Sequence, residues 1–201
     1  MKLKKKVIKK YIMTALILCL AFAIPVFAGV PLETVKGYVD KVLDVLHNPS
    51  LKTESAGKAK KDRIRAIAQE MFDFTELSKR TLARNWRRFS PEQQKEFVEL
   101  YRSLLEDAYA DKIMAYTNEK IVFGKEIALT EKTVEVQSTV QRNSGDVSID
   151  YRVIMKDGSW KVYDVVVEGV SLIDNYRSQF REILSNKSPE ELLGILREKV
   201  G

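Results

Sequence analysis

Cysteine and histidine are almost missing from this chain of 201 residues: Cys19 and His47 are the only ones. Residues 29–201 therefore hold no cysteine, which excludes disulfides, thiolate-bound zinc and a thiol nucleophile from that part. Acidic residues are absent from residues 1–28, which instead carry six of the 34 Lys+Arg. The remaining 28 cations balance 28 Asp+Glu, so the formal charge of +6 belongs to the N-terminus. That distribution removes the global basic footprint expected of a nucleic-acid-binding domain. No Gly-, Ser- or Pro-rich stretch long enough for an interdomain linker interrupts residues 29–201, and no repeat is visible.

The N-terminus reads as an export signal. Met1–Lys10 is positive, Tyr11–Ile24 is an apolar run of 14 residues, and Pro25 leads to Val26-Phe27-Ala28. This is the secretory pattern, with cleavage expected after Ala28. The rival, an uncleaved membrane anchor, is disfavoured, because the apolar span continued to Val30 barely reaches the roughly 20 residues a spanning helix needs and Pro25 sits inside it. Cys19 follows Leu18, where a lipoprotein signal has a small residue. The expected organisation is residues 1–28 as signal peptide and residues 29–201 as one exported domain.

Within that domain the apolar period changes from 3.6 to 2 and back, which predicts an α+β fold. Val35, Val39, Val42 and Leu46 share a helical face that Asn48-Pro49 ends, and Ile64, Ile67 and Met71 mark a second helix. Asp73-Phe-Thr-Glu76 and Ser90-Pro91-Glu92-Gln93 are capping boxes. The latter opens a long helix with Phe97, Tyr101, Leu104 and Ala108 along one stripe. Lys120–Glu168 alternates, with hairpin turns at Asn143–Asp146 and Lys156–Ser159. After Gly169, Leu172, Ile173, Tyr176, Phe180 and Ile183 line another helix, and Ser188-Pro189-Glu190-Glu191 caps a last one.

Two-residue turns predict the register. Asp157-Gly158 pairs Met155 with Trp160, Val153 with Val162 and Tyr151 with Asp164. Ser144-Gly145 pairs Val140 with Ile149, Ser138 with Tyr151 and Val136 with Val153. Both place Val134, Val136, Val140, Ile149, Tyr151, Val153, Met155, Trp160, Val162 and Val166 on one face. A strand around Ile121–Leu129 brings the antiparallel meander to about four strands.

Catalytic candidates are few. His47 beside Asn48-Pro49 suits a helix C-terminus, and Ser171 lacks both the second glycine of a nucleophile elbow and a histidine base. No catalytic residue, metal site or cofactor is expected. Asp164 breaks the apolar face and needs partners. It is read as structural, bonded to Tyr151 or to a cation such as Arg177 or Arg181. Residues 52–88 carry 11 cations against 5 anions, and Arg84, Trp86, Arg87 and Arg88 suit a phosphate, an anionic surface or a partner.

Phe72–Leu82, Trp86, Ser90–Phe97, Trp160–Leu172 and Asn175–Phe180 together closely resemble the toluene-tolerance, or MlaC, family. The resemblance implies helices wrapped on a twisted antiparallel sheet that encloses an apolar lipid cavity. It implies a monomeric periplasmic carrier moving phospholipid between an inner-membrane MCE-ring ABC transporter and an outer-membrane lipoprotein–porin complex, with transient membrane contact. Phospholipid would be cargo rather than cofactor. It also places Asp164 in the family's Tyr-Asp-Val context.

The cavity expected from the alternation is lined by Val136, Val140, Ile149, Tyr151, Val153, Met155, Val162 and Val166 and roofed by Tyr101, Tyr109, Tyr176 and Phe180. Two chains with ~30 methylenes cost on the order of 20 kcal/mol to expose to water, so a carrier needs such a dry lining. The alternatives are a small pocket enzyme of a cone-shaped α+β fold using Asp164 and Tyr151, or a non-catalytic periplasmic adaptor with a solid core.

Overall fold

The structure, a computed structural model, describes residues 29–51 and 56–201; the expected signal peptide lies outside them. Helix α1 (Val30–His47) is followed by a 3₁₀ turn (Pro49–Leu51), α2 (Gly57–Met71) and α3 (Phe74–Leu82). A 3₁₀ segment (Ala83–Arg88) leads into α4 (Pro91–Met114). Strands β1 (Lys120–Thr130), β2 (Thr133–Gln141), β3 (Val147–Lys156), β4 (Ser159–Val167) and β5 (Val170–Ser171) form one antiparallel sheet in chain order. Helices α5 (Leu172–Asn186) and α6 (Pro189–Val200) close the chain.

The caps act where the sequence places them, except that Glu76 pairs with Arg80 instead of reaching back to Asp73, whose N–H goes to Val162 O. Asp73 accepts from Glu76 N at 2.9 Å, and reciprocal capping boxes start α4 at Ser90 and α6 at Ser188. The fifth strand was not foreseen, because two residues carry no alternation to read.

Two hairpin registers differ from expectation, with different consequences. Between β2 and β3, Val136 pairs with Tyr151, Val134 with Val153 and Val140 with Val147. The loop is longer than two residues, with Gly145 N donating to Arg142 O at 3.1 Å and Gly145 at φ 117°. The slip is two residues, so every side chain keeps its face.

Between β3 and β4, Met155–Trp160 and Val153–Val162 pair as expected, but Arg152 then meets Asp164 and Tyr151 meets Val165. Tyr163 is left over as a β-bulge, which turns the rest of β4 over. Asp164 and Val166 therefore leave the valine face, and Val165 and Val167 take the places opposite Tyr151 and Ile149 that were expected of them.

The sheet separates two apolar clusters. On one side α1 lays Val35 and Val39 against Val136, Val153, Trp160 and Val162, with Met71 of α2 beside them. On the other, α3, α4, α5 and α6 gather Phe97, Tyr101, Tyr176, Phe180, Leu192 and Leu193, joined from the sheet by Tyr163 and Ile154. Phe72 touches both clusters and bridges to the free edge of β4 at Val162.

Candidate lipid site

The valine face carries a row of apolar side chains that the fold covers incompletely. Under the centre of α1 it is closed: Val35, Val136 and Val153 are fully buried. Around that centre Ile121, Phe123, Val134, Tyr151, Met155 and Val165 are only half-buried against the cluster. Towards the β2–β3 hairpin, Val140, Val147, Ile149 and Val167 continue the same face, also half-buried. On β3 the strip from Ile149 to Met155 is about 20 Å long. One leaflet's share of a hydrocarbon core is about 15 Å, so the strip accommodates the length of an acyl chain. Burial, reinforced by the charge of Asp150, pushes the Tyr151 phenol up to about 12.

Tyr101, Tyr109, Tyr176 and Phe180 do not roof this face. They belong to the helical cluster across the sheet, where Tyr101 stands edge-on to Tyr176 at 5.2 Å and to Phe180 at 5.3 Å between ring centres. Helical spacing correctly marked these side chains as inward-facing, but periodicity cannot say which side of a sheet a helix packs on. Burial drives the Tyr101 phenol far above its ordinary value, and Thr81 Oγ1 approaches its oxygen at 3.4 Å. This cluster is the larger of the two buried cores. The cover of the valine face is instead α1, through Leu32, Val35, Tyr38, Val39 and Leu43.

Asp164 is buried and fully engaged, with partners other than those expected. Its Oδ2 accepts from Arg152 Nη1 at 3.1 Å and Ser171 Oγ at 2.6 Å, and its Oδ1 accepts from Ile173 N at 3.1 Å. Ser171 Oγ in turn accepts from Asp174 N at 3.1 Å. The carboxylate thus fixes the first turn of α5, where a negative charge is favoured. Burial pulls the Arg152 guanidinium down, but its bonds to Glu135 and Asp164 outweigh this and leave it raised. Tyr151 points to the opposite face, so the Asp164–Tyr151 acid–base pair is not formed.

His47 does not cap its own helix. Its Nε2 donates to Thr117 O at 2.8 Å, tying the end of α1 to the segment after α4. Of the basic group, Arg88 is committed to structure: Nη1 donates to Leu184 O at 2.9 Å and to Asn85 Oδ1 at 3.2 Å, and Nη2 to Lys187 O at 3.3 Å. Trp86 is half-buried against the aromatic cluster. Arg84 and Arg87 are exposed. A groove of about 500 Å³ between α2–α3, α4 and the β3–β4 hairpin is lined by paired charges, Lys156–Asp73 and Arg102–Glu99 among them. It offers no dry lining. The described residues contain no cluster of His, Cys, Asp and Glu able to hold a metal, and no helix among them is long and apolar enough to cross a membrane.

The sequence profile of the MlaC protein family matches residues 36–198. The chain belongs to the MlaC family. It is 27% identical over 172 residues to the toluene tolerance protein ttg2D of Pseudomonas putida, covering 84% of this chain and 80% of that one. It is 28% identical over 109 residues to the intermembrane phospholipid transport system binding protein MlaC of Haemophilus influenzae, covering 52% and 51%. Among solved structures, a phospholipid-binding protein from Ralstonia solanacearum in complex with a phospholipid matches with TM-score 0.73 and 29% identity, over 84% of this chain and 96% of that one. The MlaC-family fold of this chain is α+β with an open five-stranded sheet.

Proposed function

We propose that residues 29–201 form a phospholipid carrier of the periplasm, whose acyl chains lie between α1 and the valine face. The observation that carries this reading is the match to the Ralstonia solanacearum phospholipid complex over nearly its whole length. The half-covered strip through Val140, Ile149, Tyr151 and Met155 supports the placement. Loading then requires α1 and the sheet to part, because the centre of the face is closed around Val153. The partners implied by the family are an inner-membrane ABC transporter with an MCE ring and an outer-membrane lipoprotein–porin complex, with residues 1–28 removed during export.

The pocket-enzyme reading loses its motive, since Asp164 has three donors and faces away from Tyr151. The test is organic extraction and mass spectrometry of residues 29–201 purified from a periplasm. Stoichiometric glycerophospholipid of mixed headgroups is expected. A folded protein that carries no lipid, and accepts none from vesicles, favours the adaptor with a solid core.

A further inference from the structure

A second cavity lies on the helical side of the sheet, away from the valine face. It is a groove of about 260 Å³ where the end of α3 and the following 3₁₀ segment meet α5. Its lining includes three arginines, Arg84, Arg177 and Arg181, together with Asn85, and no acidic residue. Arg177 is held rigidly: Nε and Nη2 both donate to Arg80 O, at 3.2 and 2.9 Å, and Nη1 donates to Asp174 Oδ1 at 2.6 Å. Asp174 offsets the charge of Arg177 and of no other lining cation. The side chains of Arg84 and Arg181 make no hydrogen bond or ion pair among the described residues. Both residues line the groove without a carboxylate partner, and Asn85 still has its amide N–H groups, because only its Oδ1 is used, by Arg88. Its buried lining is Leu82, the ring of Phe180 and Thr81, whose hydroxyl is taken up by Leu77 O at 2.9 Å.

Two guanidinium groups, an amide donor and a largely apolar buried lining in a small concave site suit a phosphate ester better than a flat anionic plane. Guanidinium forks match phosphate oxygens in pairs, and a low-polarity lining strengthens those bonds. The chain at this point is also bent without a glycine: Ala83 has φ 49° and ψ −123°. We infer that this groove is an anion subsite that binds a phosphate ester through Arg84 and Arg181, with Asn85 as third donor. The ester is either a phospholipid headgroup at a bilayer surface or a small soluble phosphate. The subsite is separate from the acyl-chain face and does not depend on the carrier reading.

The probe is inorganic phosphate titrated into residues 29–201, read from the side-chain Nε–Hε resonances of Arg84 and Arg181, with sodium chloride at matched ionic strength as control. Saturable shifts with phosphate and not with chloride are expected. The double change Arg84→Gln/Arg181→Gln should weaken phosphate binding by tenfold or more while melting temperature and bound lipid stay unchanged. Arg84→Lys/Arg181→Lys should retain part of it. Sedimentation with phosphatidylglycerol vesicles separates the two sources. Vesicle binding that the double change abolishes and inorganic phosphate competes assigns a headgroup; phosphate binding without vesicle binding assigns a soluble ester. Equal response to phosphate and chloride, or undiminished phosphate binding by the correctly folded double variant, overturns the subsite.

Discussion

Glu126 caps α1 at Gly29 from across the molecule. Gly29, at φ 90°, offers no side chain to its own helix. The carboxylate of Glu126 on β1 takes over, with Oε2 accepting from Gly29 N at 2.8 Å and Oε1 from Leu32 N at 2.6 Å. Gly124 and Lys125 form the bulge that aims it, since Phe123 pairs with Ser138 and Glu126 with Val136. The helix that covers the proposed lipid face is therefore fastened at both ends, to the sheet by Glu126 at its start and to the segment after α4 by His47 on Thr117 at its end.

Glu126→Ala should cost about 0.5–2 kcal/mol, as loss of an N-cap does, and should speed amide exchange in the first turn of α1. Lipid exchange between protein and vesicles should quicken as well, because the cover is released at one end. If export leaves Gly29 as the first residue, its amine is charged and the bond to Glu126 becomes an ion pair. Acetylating that amine should then destabilise the parent but not Glu126→Gln. The same loss in both backgrounds would show that the amine has no link to Glu126.

Asp164→Ala should be strongly destabilising, by about 3–5 kcal/mol, since it strands the Arg152 charge and frees the α5 cap. Asp164→Asn should cost less. Its amide can still accept from Ile173 N or Ser171, although it faces Arg152 without a charge. Lipid transfer by the folded fraction should be retained in both, because the network lies across the sheet from the valine face. Unchanged thermal stability with transfer abolished would return Asp164 to the functional residues.

Much of this architecture is legible in the sequence because capping and alternation are local. Ser90 and Ser188 announce their helices, and Asp157-Gly158 sets the first pairs of its hairpin. What was illegible depends on features that carry no local mark. The bulge at Tyr163 reverses β4 after Val162, and nothing in Val-Tyr-Asp-Val distinguishes it from plain alternation. The side of the sheet chosen by α4 and α5 is likewise a tertiary outcome, so Tyr101 and Phe180 were expected over valines that α1 in fact covers. Glu126 was missed for the same reason: its partners are Gly29 and Leu32, nearly a hundred residues away in the chain.

Tyr151 predicts an alkaline sensitivity. Its phenol titrates near 12 in the fold against about 10 when unfolded. Between those values the unfolded chain has lost a proton that the folded one keeps, so stability falls as pH rises from about 10. The loss levels off near 12 and is at most about 2–3 kcal/mol. Urea denaturation between pH 9 and 12 should show this slope, and Tyr151→Phe should make it shallower, leaving the share of Tyr101 and the other raised phenols. An identical slope in the variant would assign the effect to other groups, Tyr101 first among them.

Two tryptophan substitutions on one strand separate a lipid chamber from a packed core. Val153 lies under α1 with no exposed surface, whereas Ile149 is half-buried on the same face, four residues nearer the β2–β3 hairpin. Added bulk at Val153 has nowhere to go while α1 is seated, so Val153→Trp should cost roughly 1–3 kcal/mol. Ile149→Trp projects into the half-covered strip, where acyl chains are proposed to lie, and should leave the melting temperature nearly unchanged while lowering lipid per protein. If both variants keep a full lipid load, the acyl chains do not run along this strip. In that case the helical cluster around Tyr101 and Phe180 becomes the place to look, and Phe180→Trp is the next substitution to make.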